Sequence, residues 1–183
     1  MEKYPDFFYL ITTELKKVKV RYLLIGGFAI TAYGYSRATR DFDILMTDSE
    51  FTKALPALKN MGYRLVSHVK VCAQFEHEKL DPEFIDLDVM LVDETTFEIM
   101  WKSAKETEIF GNKFLLPAVT HLIAMKLHAF KNNPKREQDL LDITRLIKKH
   151  SIDVNSDSFR ELCLKQGTEE LYSILKERLR KNG

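Results

Sequence analysis

The spacing of apolar and polar residues changes along the chain, and the changes mark out the elements. Phe7, Phe8, Leu10, Ile11, Leu15 and Val18 recur at helical spacing and predict an amphipathic helix near the N-terminus. Arg21 to Ile25 is a short apolar run halted by Gly26-Gly27, which reads as a strand, with a short helix from about Phe28 to Gly34. Asp41 to Met46 is the next strand. Thr47, with Glu50 three residues on, has the form of a capping box that opens a helix to about Met61. Residues 63–68 and 71–75 pair as strands, 84–92 form a longer strand, and a helix follows near 96–103. Ile109 to Phe114 reads as a hairpin, its Gly111-Asn112 pair tolerating positive φ.

Beyond Pro117 the period is helical throughout. Four helices are expected at about 118–131, 136–149, 158–166 and 168–181, with a capping box at Ser158 and Glu161 and an N-cap at Thr168. The pattern predicts an α/β (α+β) fold, with an α/β domain over 1–117 and a helical C-terminal region over 118–183 packed on it. Trp101 and the Phe-rich first helix belong to packing.

Composition narrows the class. A chain of 183 residues, 45% hydrophobic and 30% charged, is ordinary for a globular protein. Its formal charge of +1 supplies no overall basic footprint for nucleic acid. The basic clusters at Lys131, Lys135 and Arg136 and at Lys176, Arg178, Arg180 and Lys181 read as solvated helix faces. Cys72 and Cys163 are far apart, which suits reduced, buried thiols rather than a disulfide framework. No stretch approaches the roughly 20 apolar residues of a membrane span, and no secretory leader is evident, so a cytoplasmic location without membrane contact is expected. The five histidines show no zinc-ligand spacing.

The chemistry concentrates in one stretch. Gly26-Gly27 is followed, after thirteen residues, by Asp41-Phe42-Asp43. Alternation along a strand puts Asp41 and Asp43 on one face. Two neighbouring carboxylates among apolar residues repel one another unless a cation neutralises them. Asp86 and Asp88 likewise share a face of the later strand, opposite Leu87, Val89 and Leu91. Should the two strands lie side by side, the carboxylates would converge, and three of them could hold the Mg²⁺ (or Mn²⁺) that aligns a nucleophile and a triphosphate. The glycines, between a strand and a helix, would let backbone amides approach phosphate. The bland alternatives are ion pairs of Asp41 and Asp43 with Arg37 or Arg40, and a solvent-facing side for Asp86 and Asp88. Lys126 would snorkel at a helix edge. Asp139 and Asp142 would form a solvated face paired with Lys135 or Arg136.

The run from Gly26-Gly27 to Arg37-Ala38-Thr39-Arg40-Asp41-Phe42-Asp43 resembles the signature of the nucleotidyltransferase superfamily with a polymerase-β-like palm. Two further blocks share the likeness: Asp88-Val89-Met90-Leu91-Val92 followed by Thr96-Phe97, and His121 to Ala129 through Asp139-Leu140-Leu141-Asp142-Ile143. Within the superfamily the chain is most similar to bacterial abortive-infection and toxin-type members. The resemblance implies a mixed-sheet palm and transfer of a nucleoside monophosphate from a triphosphate such as ATP, with release of pyrophosphate. It implies Asp41 and Asp43 as metal ligands, and Asp88, preferred over Asp86, as the third carboxylate and acceptor base. It further implies Gly26, Gly27, Arg40 and Lys126 as nucleotide contacts, with Arg37 and Asp139 accessory. Relatives often carry Lys-Asp where this chain has Gln138-Asp139. The acceptor stays open between a tRNA end, a protein side chain and a small molecule such as an aminoglycoside, and the toxin-type likeness adds an antitoxin protein as a partner. A non-catalytic nucleotide- or partner-binding palm, or a phosphohydrolase using water, are the other readings.

Overall fold

Five strands form one mixed sheet in the order β1-β2-β5-β4-β3: β1 (Leu23–Leu24), β2 (Asp41–Thr47), β3 (Tyr63–Val69), β4 (Cys72–His77) and β5 (Asp86–Val92). Central β2 and β5 run parallel; every other neighbouring pair is antiparallel. The computed structural model describes residues 5–36, 38–79 and 85–181. These fall into two units, one of 5–32 with 38–118 and the other of 33–36 with 119–181.

In the first unit, one face of the sheet is apolar. Phe42, Ile44, Leu87 and Val89 are fully buried on it. A one-residue slip of β2 would turn Phe42 and Ile44 to the opposite face, at about 2 kcal/mol for each side chain exposed. That cost fixes the register. α1 (Pro5–Lys17) supplies Phe7 and Phe8, which meet Phe42 edge-to-face at ring separations of 5.1 and 5.5 Å. Phe28 of α2 (Gly26–Ala32) and Phe114 complete the aromatic cluster, so the Phe-rich helix packs as expected.

Thr47 caps α3 (Asp48–Asn60) by accepting from the Glu50 amide at 3.3 Å. The expected reciprocal bond is replaced, because the buried Glu50 carboxylate accepts instead from the Arg21 amide, Arg21 Nε and Lys53 Nζ. α4 (Glu94–Lys102) is capped by Asp93, and Trp101 stacks on Phe97 under the Arg21 guanidinium. β6 (Lys105–Ile109) and β7 (Asn112–Leu116) form the expected hairpin. Its tight turn is Phe110-Gly111, at φ 48° and 74°, rather than Gly111-Asn112. Phe110 accepts the left-handed backbone while its ring lies 5.0 Å from that of Phe8.

The second unit holds α5 (Val119–Asn132), α6 (Glu137–Lys149), α7 (Asp157–Gln166) and α8 (Glu169–Lys181). Residues 33–36 belong with it, the Arg145 guanidinium lying 4.0 Å from the centre of the Tyr35 ring. α7 is capped by Ser156, not Ser158, whereas Thr168 caps α8 as its position suggests. Cys163 is buried, but Cys72 is only half-buried, on the polar side of the sheet. Among the described residues no helix is long and apolar enough to cross a membrane.

Candidate functional site

The parallel pairing of β2 with β5 sets Asp41 opposite Asp86 and Asp43 opposite Asp88. Neighbouring strands lie about 5 Å apart and alternate residues share a face, so the four carboxylates occupy two adjacent rungs on the side away from Phe42 and Leu87. The two acidic pairs therefore meet. Asp41 and Asp86 are exposed at the rim, while Asp43 and Asp88 are half-buried deeper on the sheet.

Crowding of like charge shows in the electrostatics. Burial pushes the Asp86 carboxyl above its ordinary pKa, and Glu76 and Asp41 push it further. Burial also raises Asp88, Asp41 and Asp86 add to the rise, and a hydrogen bond from Gln74 Nε2 at 3.3 Å opposes it. Such a cluster gains from a bound cation.

Gly26 closes the site from the β1 side. The Ile25 amide donates to the Asp43 carbonyl at 2.9 Å, which lays the next residue against the aspartate. Gly26 has φ +63°, and a Cβ there would fall inside the Asp43 carboxylate. Only glycine permits this backbone to pass so near. Gly27 is buried, and its carbonyl accepts from Thr31 Oγ1 at 3.0 Å.

The remaining expected residues are distributed more widely. Arg40 is exposed immediately ahead of β2. Arg37 lies outside the described residues. Lys126 and Asp139 meet each other in the second unit, where Lys126 Nζ is 2.6 Å from Asp139 Oδ1 and 3.1 Å from Asp142 Oδ2. Asp139 and Asp142 are 2% and 0% exposed, so they do not form a solvated face. Asp139 does pair with Arg136, at 2.6 Å, while Gln138 donates to Asp142 at 2.8 Å.

Two polar neighbours escaped the sequence reading. Gln74 stands opposite Asp88, and Glu76, two residues on, faces the same way toward Asp86. Polar residues alternating with buried Ala73 and Phe75 marked the face, but the register of β4 on β5 had no local signal.

A divalent ion fits the donor set in kind. The donors are hard carboxylate oxygens, and burial together with neighbouring carboxylates raises the pKa of Asp86 and Asp88. Among the described residues no three His, Cys, Asp or Glu side chains form a ready-made cage. Mg²⁺ does not require one, since one or two carboxylates with waters and substrate phosphates commonly hold it.

Comparison with known proteins agrees with this architecture. Three solved structures share the fold. One is the lincosamide antibiotic adenylyltransferase LnuA in its lincomycin-bound form, with 22% identity, a TM-score of 0.55 and coverage of 76% of this chain and 93% of that one. A second is ANT(2")-Ia in complex with adenylyl-2"-tobramycin, with 18% identity, a TM-score of 0.59 and coverage of 97% of both chains. The third is an antigenic nucleotidyltransferase-like protein from Paracoccidioides brasiliensis, with 16% identity, a TM-score of 0.56 and coverage of 94% of this chain and 91% of that one. No curated protein matches the sequence. A family model described as "Uncharacterised nucleotidyltransferase" matches residues 9–175, nearly the whole length and both units, and the chain belongs to that nucleotidyltransferase family.

Proposed function

We propose that the enzyme moves a nucleoside monophosphate from a triphosphate such as ATP to an acceptor hydroxyl, in a Mg²⁺-dependent reaction on the open face of the sheet. The register of β2 on β5 carries this reading, because it puts the Asp41/Asp43 pair beside Asp86 and Asp88. A divalent ion bound there supplies charge neutralisation at the triphosphate and alignment of the attacking and leaving oxygens.

The chain's own groups divide the remaining work. Asp41 and Asp43 hold the ion. Gly26 and Gly27 bring backbone against the phosphates, a role supported by the closeness of Gly26 to Asp43. Arg40 offsets phosphate charge from the rim. Asp88 takes the acceptor proton, helped by its raised pKa, which favours a carboxylate able to accept one. The acceptor oxygen bonds to the α-phosphorus as the bond from that phosphorus to the bridging oxygen breaks, and pyrophosphate leaves. Asp86 shapes the local field without touching the reacting atoms. Lys126, engaged by Asp139 and Asp142, is assigned to holding the second unit together rather than to the nucleotide.

The test is incubation with each labelled triphosphate, Mg²⁺ and a cell extract. Wild type is expected to release pyrophosphate and to label one acceptor class, while Asp41→Ala/Asp43→Ala does neither. Label on RNA or protein favours a toxin-type arrangement with an antitoxin partner. Label on a small molecule favours a modifying enzyme, in line with the antibiotics named for the structural neighbours. Equal labelling by the double variant defeats the reading, and orthophosphate as the sole product makes the enzyme a hydrolase.

A further inference from the structure

The open face of the sheet continues past the carboxylates, and its residues change in character from rung to rung. At the rim Asp41 and Asp86 are joined by Glu76 of β4 and by Arg64 of β3, which pairs with Glu76 at 3.2 Å. The middle rung is Asp43, Asp88, Gln74 and Ser67. The third continues from Leu45 to Met90, Cys72 and Val69. Met90 is 39% exposed and Val69 52%, with Cys72 half-buried between them.

Three neighbouring, partly exposed apolar side chains on an otherwise polar sheet face offer an apolar contact surface beside the carboxylates. Here it adjoins Asp88 through Gln74 on one strand and through Met90 on the other. Gly26 occupies the opposite flank, against Asp43, which leaves the β5-β4-β3 flank for the second substrate. The rim sets three carboxylates against the two guanidiniums of Arg64 and Arg40, and its net acidic balance favours a cation over a polyanion.

We infer that Met90, Cys72, Val69 and Gln74 form the acceptor subsite, and that it takes a small hydroxylated amine with an apolar face. The apolar face of the acceptor lies over Met90, Cys72 and Val69. Its ammonium group sits toward Glu76 and Asp86, and its hydroxyl reaches Asp88. This inference rests on the nucleotidyl-transfer reading above, and it deepens that reading by separating the two substrates across the sheet.

Cys72 gives a direct probe. It is the more accessible of the two cysteines, Cys163 being fully buried. Its alkylation by iodoacetamide is followed by mass spectrometry in the full chain with Mg²⁺ and ATP, in the presence of four compounds. N-octylglucamine carries hydroxyls, a tail and a charge; octyl glucoside lacks the charge; glucosamine lacks the tail; and tRNA is a polyanion. N-octylglucamine is expected to slow alkylation about fivefold or more, and each of the others less than about twofold. Protection by tRNA alone, or by none of the four, overturns the inference.

A second measurement compares transfer with hydrolysis. In wild type, Met90→Lys and Val69→Lys, AMP bound to N-octylglucamine is measured as a ratio to AMP released to water. The ratio is expected to fall about tenfold in both variants, because each removes apolar surface and adds a repelling charge at an exposed position. An unchanged ratio overturns the subsite while leaving nucleotidyl transfer standing. Loss of Asp43-dependent pyrophosphate release from wild type removes the underlying reading instead.

Discussion

In the proposed reaction Asp43 is the residue on which the site turns, because three strands and a glycine converge around it. Removing its carboxylate removes charge stabilisation worth several kcal/mol, so Asp43→Asn is expected to lower the transfer rate by about a thousandfold at 1.36 kcal/mol per decade. Gly26→Ala acts on the same atoms from the other side. The substituted Cβ overlaps the Asp43 carboxylate, and the left-handed backbone alone costs a non-glycine residue about 1–2 kcal/mol. Urea unfolding should show that loss, together with a fall in activity. Asp86 and Asp88 give the opposite sign. A carboxylate whose folded pKa is raised stabilises the fold only when protonated, so its charge is a burden above that pKa. Asp88→Asn should therefore melt higher than wild type near neutral pH while losing transfer, and added Mg²⁺ should narrow the gap by stabilising wild type more than the variant, which keeps Asp41 and Asp43 but lacks the neighbouring negative charge.

The aspartates were legible in the sequence because a DxD pattern on an apolar strand is a local signal. Gln74 and Glu76 were not, since their place beside Asp88 and Asp86 depends on a hairpin register set by distant packing. The role of Lys126 was hidden for the same reason, since its partners lie on another helix, whereas Gln138 bonds Asp142 only one helical turn on.

At the scale of elements, strand and helix types followed the periodicity, while ends and turns followed side-chain contacts. The β6-β7 turn is one residue earlier than Gly111-Asn112 suggests because Phe110 finds an aromatic partner in Phe8. The α3 cap is half of a box because Arg21 and Lys53 compete for Glu50. Burial raises the Glu50 pKa, but the bonds from the Arg21 amide and Lys53, and then the Arg21 side chain, outweigh it and leave the pKa lowered. A lowered folded pKa contributes stability above the unfolded value of 4.5, and that contribution is lost as the pH falls through the folded value. Glu50→Gln should thus be less stable than wild type at pH 7, and the difference should shrink below that range in thermal melts.

The α5-α6 pair carries its own ionic core. Removing one partner of a buried cluster costs about 3–5 kcal/mol, because the remaining charge is stranded. Lys126→Met is expected to shift the urea midpoint accordingly. A rise in KM for the triphosphate with stability retained would return Lys126 to the nucleotide.

The whole molecule is nearly neutral, at +1, and its candidate site is acidic. A polyanionic acceptor would have to be held against that field by several phosphate contacts, and its binding would then fall by roughly a thousandfold or more between 50 and 200 mM salt. Transfer to the natural acceptor is expected to change by less than about threefold over the same range. A steep decline would point to RNA.

The parallel pairing of β2 with β5 has a temporal consequence. Asp43 and Asp88 are about 45 positions apart, and a helix and a hairpin intervene before their strands can join. Non-local pairings of this kind pay loop-closure entropy first and form late. During synthesis the first acidic pair leaves the ribosome well ahead of its neighbour, so the proposed carboxylate site cannot assemble until most of the first unit has been made.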